Sequence, residues 1–262
     1  MRDAIIAAVT LYVGLIGVLY FMQSKLIYHP PKLIKNAHDN VDIVKISTDN
    51  GLQLMAKYKQ AETQGKPVIL IFHGNAEDVS RHAPDVDIFI EKGWGVLLAE
   101  YRGYFGNPGQ PSEKNLKADA LAYWNFLLEQ NIQPENIIIY GRSLGSGIAA
   151  YLAHQKPASK GVIFVVPYNS LFNVASERYP FIPFMNLFMR DKYDSLEYIE
   201  DIKPPKLFIV AANDEVISPD LGIDLYKKAL APKKLEVISD AGHNTVYTHD
   251  TVNKITAFIE HL

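Results

Sequence analysis

Three residues spread along the chain could together carry acyl-transfer chemistry: Ser143, Asp214 and His243. Ser143 is the centre of "GRSLG", a G-x-S-x-G pattern preceded by the apolar run "NIIIY" and followed by the helical stretch "LGSGIAAYLAH". Glycines on both sides let a strand turn sharply into a helix, which raises the hydroxyl above the carboxyl end of a sheet. A serine hydroxyl needs a base, and the base needs a group that orients it. Asp214 lies in "NDEVIS" after the run "KLFIVAA", and His243 lies in "DAGHN" after the run "KLEVIS". That chain order, serine then acid then histidine, suits nucleophilic attack on a carbonyl. Glu215 is a fallback acid. Asp240 is assigned to the turn before His243, and His73 to bracing its own loop. His249 and His261 belong in or near the terminal helix, where a histidine needs no chemistry.

Attack on an acyl carbonyl builds negative charge on its oxygen, so backbone donors must face it. The N–H of Leu144, directly after the serine, is the first candidate. The second is the N–H of Asn75, or failing that Ala76, in "HGNAED" after the run "VILIF". Other chemistries find little support. No H-E-x-x-H or comparable ligand spacing points to a metal, and no G-x-G-x-x-G opens a strand–helix unit, so no cofactor is expected. Cysteine is absent, and a net charge of −3 without a Lys/Arg cluster gives no reason to expect a nucleic-acid partner.

The elements that must position these residues are legible as patterns. "VDIVKIS" and "LQLMAKYK", separated by "TDNG", read as an antiparallel hairpin. Continuous apolar runs then begin at Val68, Gly95, Asn136, Gly161, Lys206 and Lys234. Runs apolar on both faces suit strands covered by helices on both sides. Helical stretches alternate with them, among them "SEKNLKADALAYWNFLLEQN" with Ser112 as its cap. The pattern specifies an α/β fold with a mostly parallel, doubly wound sheet and an antiparallel hairpin at one edge. The interval between the runs beginning at Gly161 and Lys206 is longer than a usual crossover. About 168–203 form an insertion rich in Phe and Tyr, read as a small helical lid whose apolar face shapes a substrate pocket.

At the N-terminus, residues 4–22, "AIIAAVTLYVGLIGVLYFM", carry no charge and span about 28 Å as a helix, close to a bilayer's hydrocarbon thickness. The run is longer than the core of a cleaved signal and has no A-x-A-like site after it. The expected organisation is therefore a membrane anchor over 1–24 and a catalytic domain over 25–262, joined by an extended segment at "YHPPK". Arg2 before the span, against Lys25, Lys32 and Lys35 after it, favours a cytoplasmic catalytic domain.

With these motifs in order, "FHGNAED", "YRGYFGNPGQPSE", "YGRSLGSG", "YDSLEYI", "NDEVIS" and "GHN", the chain resembles the α/β-hydrolase superfamily. Within it, the chain is similar to the membrane-anchored group of Bem46-like and α/β-hydrolase-domain proteins. The resemblance implies Ser143 as nucleophile, Asp214 as acid and His243 as base. It also implies that "YRGYFGNPG" braces the site, although Asn107 and Pro108 depart from the residues usual there. The expected activity is hydrolysis of an ester or thioester of a lipid, acylated protein or other apolar acyl substrate at a membrane. A serine peptidase or amidase with the same residues, and a non-catalytic scaffold on the same fold, are the alternatives.

Overall fold

The computed structural model describes residues 1–31, 41–79 and 84–262. Lys32 and Lys35, used above for orientation, lie outside them. The first element, α1 (Arg2–Ile27), is a single helix that runs three residues beyond the expected anchor boundary. It ends where Tyr28 turns extended, ahead of Pro30 and Pro31, which cannot continue a helix.

Eight strands then form one sheet: β1 (Asp42–Ser47), β2 (Gln53–Lys59), β3 (Val68–Phe72), β4 (Gly95–Ala99), β5 (Ile137–Arg142), β6 (Gly161–Val165), β7 (Lys206–Ala211) and β8 (Lys233–Ile238). Their order across the sheet is β1-β2-β4-β3-β5-β6-β7-β8. β2 pairs antiparallel with β1 and β4, and every other pairing is parallel. The expected hairpin therefore forms the antiparallel edge.

β3, β4, β5, β6 and β7 are buried along their whole length. The Val- and Ile-rich runs supply the reason, because side chains on alternate faces both meet helices. One face packs against α3 (Glu113–Glu129), α4 (Leu144–Gln155) and α7 (Pro219–Lys228); the other packs against α2 (Pro84–Glu91) and α8 (His249–Glu260). α3 buries Leu116, Ala120, Tyr123, Trp124 and Leu127, one helical stripe. As expected, Ser112 caps it, accepting from Asn115 N at 3.2 Å.

Register sets the functional edge. Phe72 of β3 lies beside Gly141 of β5, Arg142 beside Val165 of β6, and Ala211 of β7 beside Ile238 of β8. The loops bearing Asn75, Ser143, Asp214 and His243 consequently leave the same end of the sheet.

Between β6 and β7 the chain makes the expected long excursion, with α5 (Leu171–Arg178), α6 (Met185–Phe188) and a 3₁₀ turn at Ser195–Glu197. It divides into two parts. Tyr168, Tyr193, Ile199 and Ile202 are buried in the core, while Phe181, Phe184 and Leu187 are exposed.

Candidate active site

Ser143 lies between β5 and α4, with φ +49° and ψ −118°, a conformation that L residues rarely adopt. The turn is this tight because neighbouring backbones approach closely. A Cβ on Gly141 would stand 2.6 Å from Ala149 Cβ, and one on Gly145 would stand 2.8 Å from His73 O. Gly145 thereby lets the start of α4 press against the end of β3 and the loop that carries Asn75.

The structure brings Ser143, His243 and Asp214 together. His243 Nε2 is 3.0 Å from Ser143 Oγ, and His243 Nδ1 is 2.8 Å from Asp214 Oδ2. The carboxylate can only accept, so Nδ1 carries the proton and Nε2 is left to accept from the serine hydroxyl. Asp214 is fixed in turn, its Oδ1 accepting from Val216 N at 2.9 Å and Ile217 N at 2.8 Å. Both side chains are buried, 3% and 7% exposed, which strengthens the pairing relative to water.

Leu144 opens α4, where helix geometry leaves its N–H without an intrahelical partner. The helix dipole points the same way, towards developing negative charge. Asn75 lies in the turn after β3, and Ala76 is exposed next to it. The residues set aside do other work. Glu215 Oε2 accepts from His243 N at 3.1 Å, Asp240 is exposed in a turn, and His261 bonds Ala257 O near the end of α8. His249 begins α8. His73 bonds Glu100 Oε1 at 3.0 Å and Gly74 O at 2.7 Å, a bracing role.

Several positioning residues were not singled out from the sequence. Arg142, the variable residue before the serine, donates to His243 O at 3.1 Å and Asn244 Oδ1 at 3.3 Å, and it pairs with Glu77. It therefore ties the histidine loop to the serine turn. Glu100, fully buried at the end of β4, accepts from Val79 N and Tyr101 N, each at 2.9 Å, and so holds both loops beside β3. A lone acid ending an apolar strand was the available signal. Asn107, one of the departures from the resembling group, bonds Met55 N at 2.7 Å and Met55 O at 3.1 Å, pinning its loop to β2.

The segment after α1 is not a free linker. Tyr28 is buried, and its hydroxyl is 3.0 Å from Asp191 Oδ2 and 2.8 Å from the Tyr193 hydroxyl. Burial pushes both tyrosine hydroxyls and the Asp191 carboxyl upward. Asn75 joins the same junction: its Nδ2 donates to Ile27 O at 2.5 Å, and its Oδ1 accepts from His29 N at 3.0 Å and Tyr104 OH at 2.8 Å. The turn offered as an oxyanion site is thus moored to the end of α1.

Comparison with known proteins fits this geometry. The hydrolase family described as serine aminopeptidase, S33, matches residues 63–198. The chain belongs to the α/β-hydrolases. The PhoPQ-activated pathogenicity-related family also matches, over residues 183–262. An uncharacterized protein of Mycobacterium tuberculosis is 34% identical over 88% of this chain and 84% of its own. Alpha/beta hydrolase domain-containing protein 17B of Homo sapiens is 30% identical over 79% of this chain and 71% of its own. Among solved structures, the Pyrococcus furiosus esterase Pf2001 has the same fold, with a TM-score of 0.73, 19% identity and coverage of 90% and 97%. The chain is an α/β-hydrolase in fold and in family, and α1 is long and apolar enough over Ile5–Ile27 to cross a membrane.

Proposed function

We propose that this hydrolase is a membrane-anchored serine hydrolase that cleaves ester or thioester acyl bonds through Ser143, His243 and Asp214. The observation that carries the reading is the unbroken hydrogen-bonded series from Asp214 through His243 to Ser143 Oγ. In the reaction His243 Nε2 takes the hydroxyl proton as Oγ attacks the acyl carbon. The resulting oxyanion is received by the N–H groups of Leu144 and Asn75. His243 then gives its proton to the leaving group, and an acyl-enzyme remains on Ser143. Water, deprotonated by the same imidazole, releases the acid. Asp214 keeps Nδ1 protonated and steadies the imidazolium at each stage.

Residues 1–24 act as the anchor, with the helix continuing to Ile27, and 25–262 act as the catalytic domain. Lys25, Lys32 and Lys35 after the span, against Arg2 before it, favour a cytoplasmic catalytic domain. An apolar acyl group is the favoured substrate, because the uncharged run 4–22 and the exposed Phe181, Phe184 and Leu187 keep apolar molecules near the site. Amide or peptide cleavage is the second reading, favoured by the serine aminopeptidase family match.

The test uses detergent-purified full chain and its Ser143→Ala variant. p-Nitrophenyl esters of increasing acyl length are followed beside the matching p-nitroanilides. Ester turnover that rises with chain length and vanishes in the variant is expected. Turnover of anilides alone would move the assignment to the peptidase reading, and turnover that survives Ser143→Ala would remove Ser143 from the mechanism.

A further inference from the structure

The sheet's long insertion contains a stretch that a water-soluble surface does not explain. From Tyr179 to Met189, "YPFIPFMNLFM", no residue is charged, and arginines stand directly on either side at Arg178 and Arg190. Phe181 is 75%, Phe184 69% and Leu187 79% exposed. Phe184 and Leu187 sit next to α1 rather than away from it. An apolar cavity of about 270 Å³ between the two is lined by Tyr12, Val13, Ile16, Phe184, Leu187 and Phe188.

The contacts fix the depth of this stretch relative to the helix. Near the end of the span, the Arg190 guanidinium lies 4.8 Å from the centre of the Tyr20 ring, an aromatic–cation pair suited to the headgroup level. Eight residues back along α1, Tyr12 OH donates to Pro183 O at 2.8 Å. Eight residues of helix rise about 12 Å, while one leaflet's hydrocarbon is about 15 Å deep. A segment bonded to both levels runs alongside the span through most of a leaflet.

Irregular backbone survives in hydrocarbon only when its polar groups are satisfied by protein. Part of this stretch's backbone is satisfied in that way. Pro180 and Pro183 bring no N–H. Local turns pair Ile182 N with Tyr179 O at 3.1 Å, and Leu187 N with Phe184 O and Met189 N with Met185 O, each at 2.9 Å. Further groups here and at its edge are capped from α1 and the flank. Gln23 Nε2 donates to Phe188 O at 2.8 Å, its Oε1 accepts from Arg190 N at 2.8 Å, and Lys192 Nζ donates to Asn186 O at 3.0 Å. Polar side chains are costly in a span, and Tyr12 and Gln23 use theirs to cap the insertion's carbonyls.

We propose that residues 179–189 lie inside the lipid leaflet beside α1, with Phe181, Phe184 and Leu187 against acyl chains and Arg178 and Arg190 at the phosphates. This rests on α1 being a membrane span. It makes the enzyme bitopic in its anchor and monotopic in its insertion. The catalytic domain is then seated on the membrane at a fixed height and orientation rather than hanging from a flexible tether.

The chain has no cysteine, so single labels can be introduced cleanly. Full-length Phe184→Cys, Leu187→Cys, Leu15→Cys and Glu135→Cys variants are labelled with an environment-sensitive fluorophore. They are reconstituted in phosphatidylcholine vesicles with and without doxyl-labelled lipid, and titrated with iodide. Leu15 is exposed mid-span on α1 and reports the anchor; Glu135 is exposed at the opposite end of the sheet and reports water. The proposal expects labels at 184 and 187 to lose emission to doxyl lipid as the label at 15 does, and to resist iodide. Labels at 184 and 187 quenched by iodide, with 15 still quenched by lipid, would overturn it and leave the anchor intact. Lipid quenching at none of the three would remove the anchor and the proposal together. Labels at 184 and 187 shielded from both quenchers would also overturn it and point to a second copy of the chain covering the patch.

Discussion

Removing the Ser143 hydroxyl deprives His243 Nε2 of its donor but leaves the turn's backbone in the same left-handed region. The account therefore separates chemistry from strain at this position. Ser143→Ala and Ser143→Gly should both lack ester turnover. In thermal unfolding, however, Ser143→Gly should exceed Ser143→Ala by about 1 kcal/mol, because only glycine adopts positive φ without cost. Equal stabilities would mean that the turn stores no strain. Asp214→Asn preserves size but presents an amide to Nδ1, which favours the wrong tautomer, and kcat should fall by about 10⁴ with little change in KM. Arg142→Met should lower kcat by about 10- to 100-fold, since it frees the loop carrying His243 and small displacements of a base are expensive. Retained kcat in that variant would show that the loop holds itself.

At the scale of elements, the sequence exposed what repeats and concealed what converges. Strands β3 to β7 were legible because each is an apolar run bounded by turn residues, and α3 because Ser112 precedes an apolar stripe. The chain order of Ser143, Asp214 and His243 followed from placing them after β5, β7 and β8 in turn. Arg142, Glu100 and Tyr28 were not legible as positioning residues, because the partners that give them that role lie far away in sequence, 21 residues for Glu100 and Val79 and 165 for Tyr28 and Tyr193. No local pattern encodes such contacts. The mooring of Asn75 to Ile27 and His29 belongs to this class, and it gives a prediction. Asn75→Ala keeps the backbone N–H but abolishes the side-chain bonds, so kcat should fall about 10-fold while KM is nearly unchanged, in line with one unsatisfied buried group. A purely KM effect would mean that the mooring serves substrate binding instead.

Lys206 supplies a pH test at the same scale. Its Nζ is buried at the start of β7, donates to Ile202 O and Pro204 O, and is pushed down to about 8 by burial and by Lys233 and Lys203. Between about 8 and the ordinary 10.5, the unfolded chain holds this proton and the folded chain does not. Its contribution to stability therefore rises with pH across that window. The difference in unfolding temperature between the natural chain and Lys206→Met should shift in favour of the natural chain from pH 8 upward. A difference that stays flat would mean that the ammonium remains charged in the fold.

For the whole molecule, α1, the insertion and the turn after β3 form one arrangement. α1 meets the insertion through Tyr12, Tyr20 and Gln23, meets the core through Tyr28, and meets the turn after β3 through the carbonyl of Ile27. An anchor connected only by a linker would need none of these contacts. The uncharged run at the N-terminus was legible as a long apolar helix, yet its docking onto residues 183–193 was not, because an apolar run records hydrophobicity and not its neighbours.

The central claim is that Ser143 is the nucleophile, and covalent capture tests it most directly. The full chain in detergent is treated with a fluorophosphonate, digested, and the adduct located by mass spectrometry, beside the His243→Asn variant. The account predicts one phosphonyl adduct, on the peptide containing Ser143, and labelling slowed by orders of magnitude without the histidine. No adduct, an adduct on another serine, or equal labelling in the His243→Asn variant would contradict it.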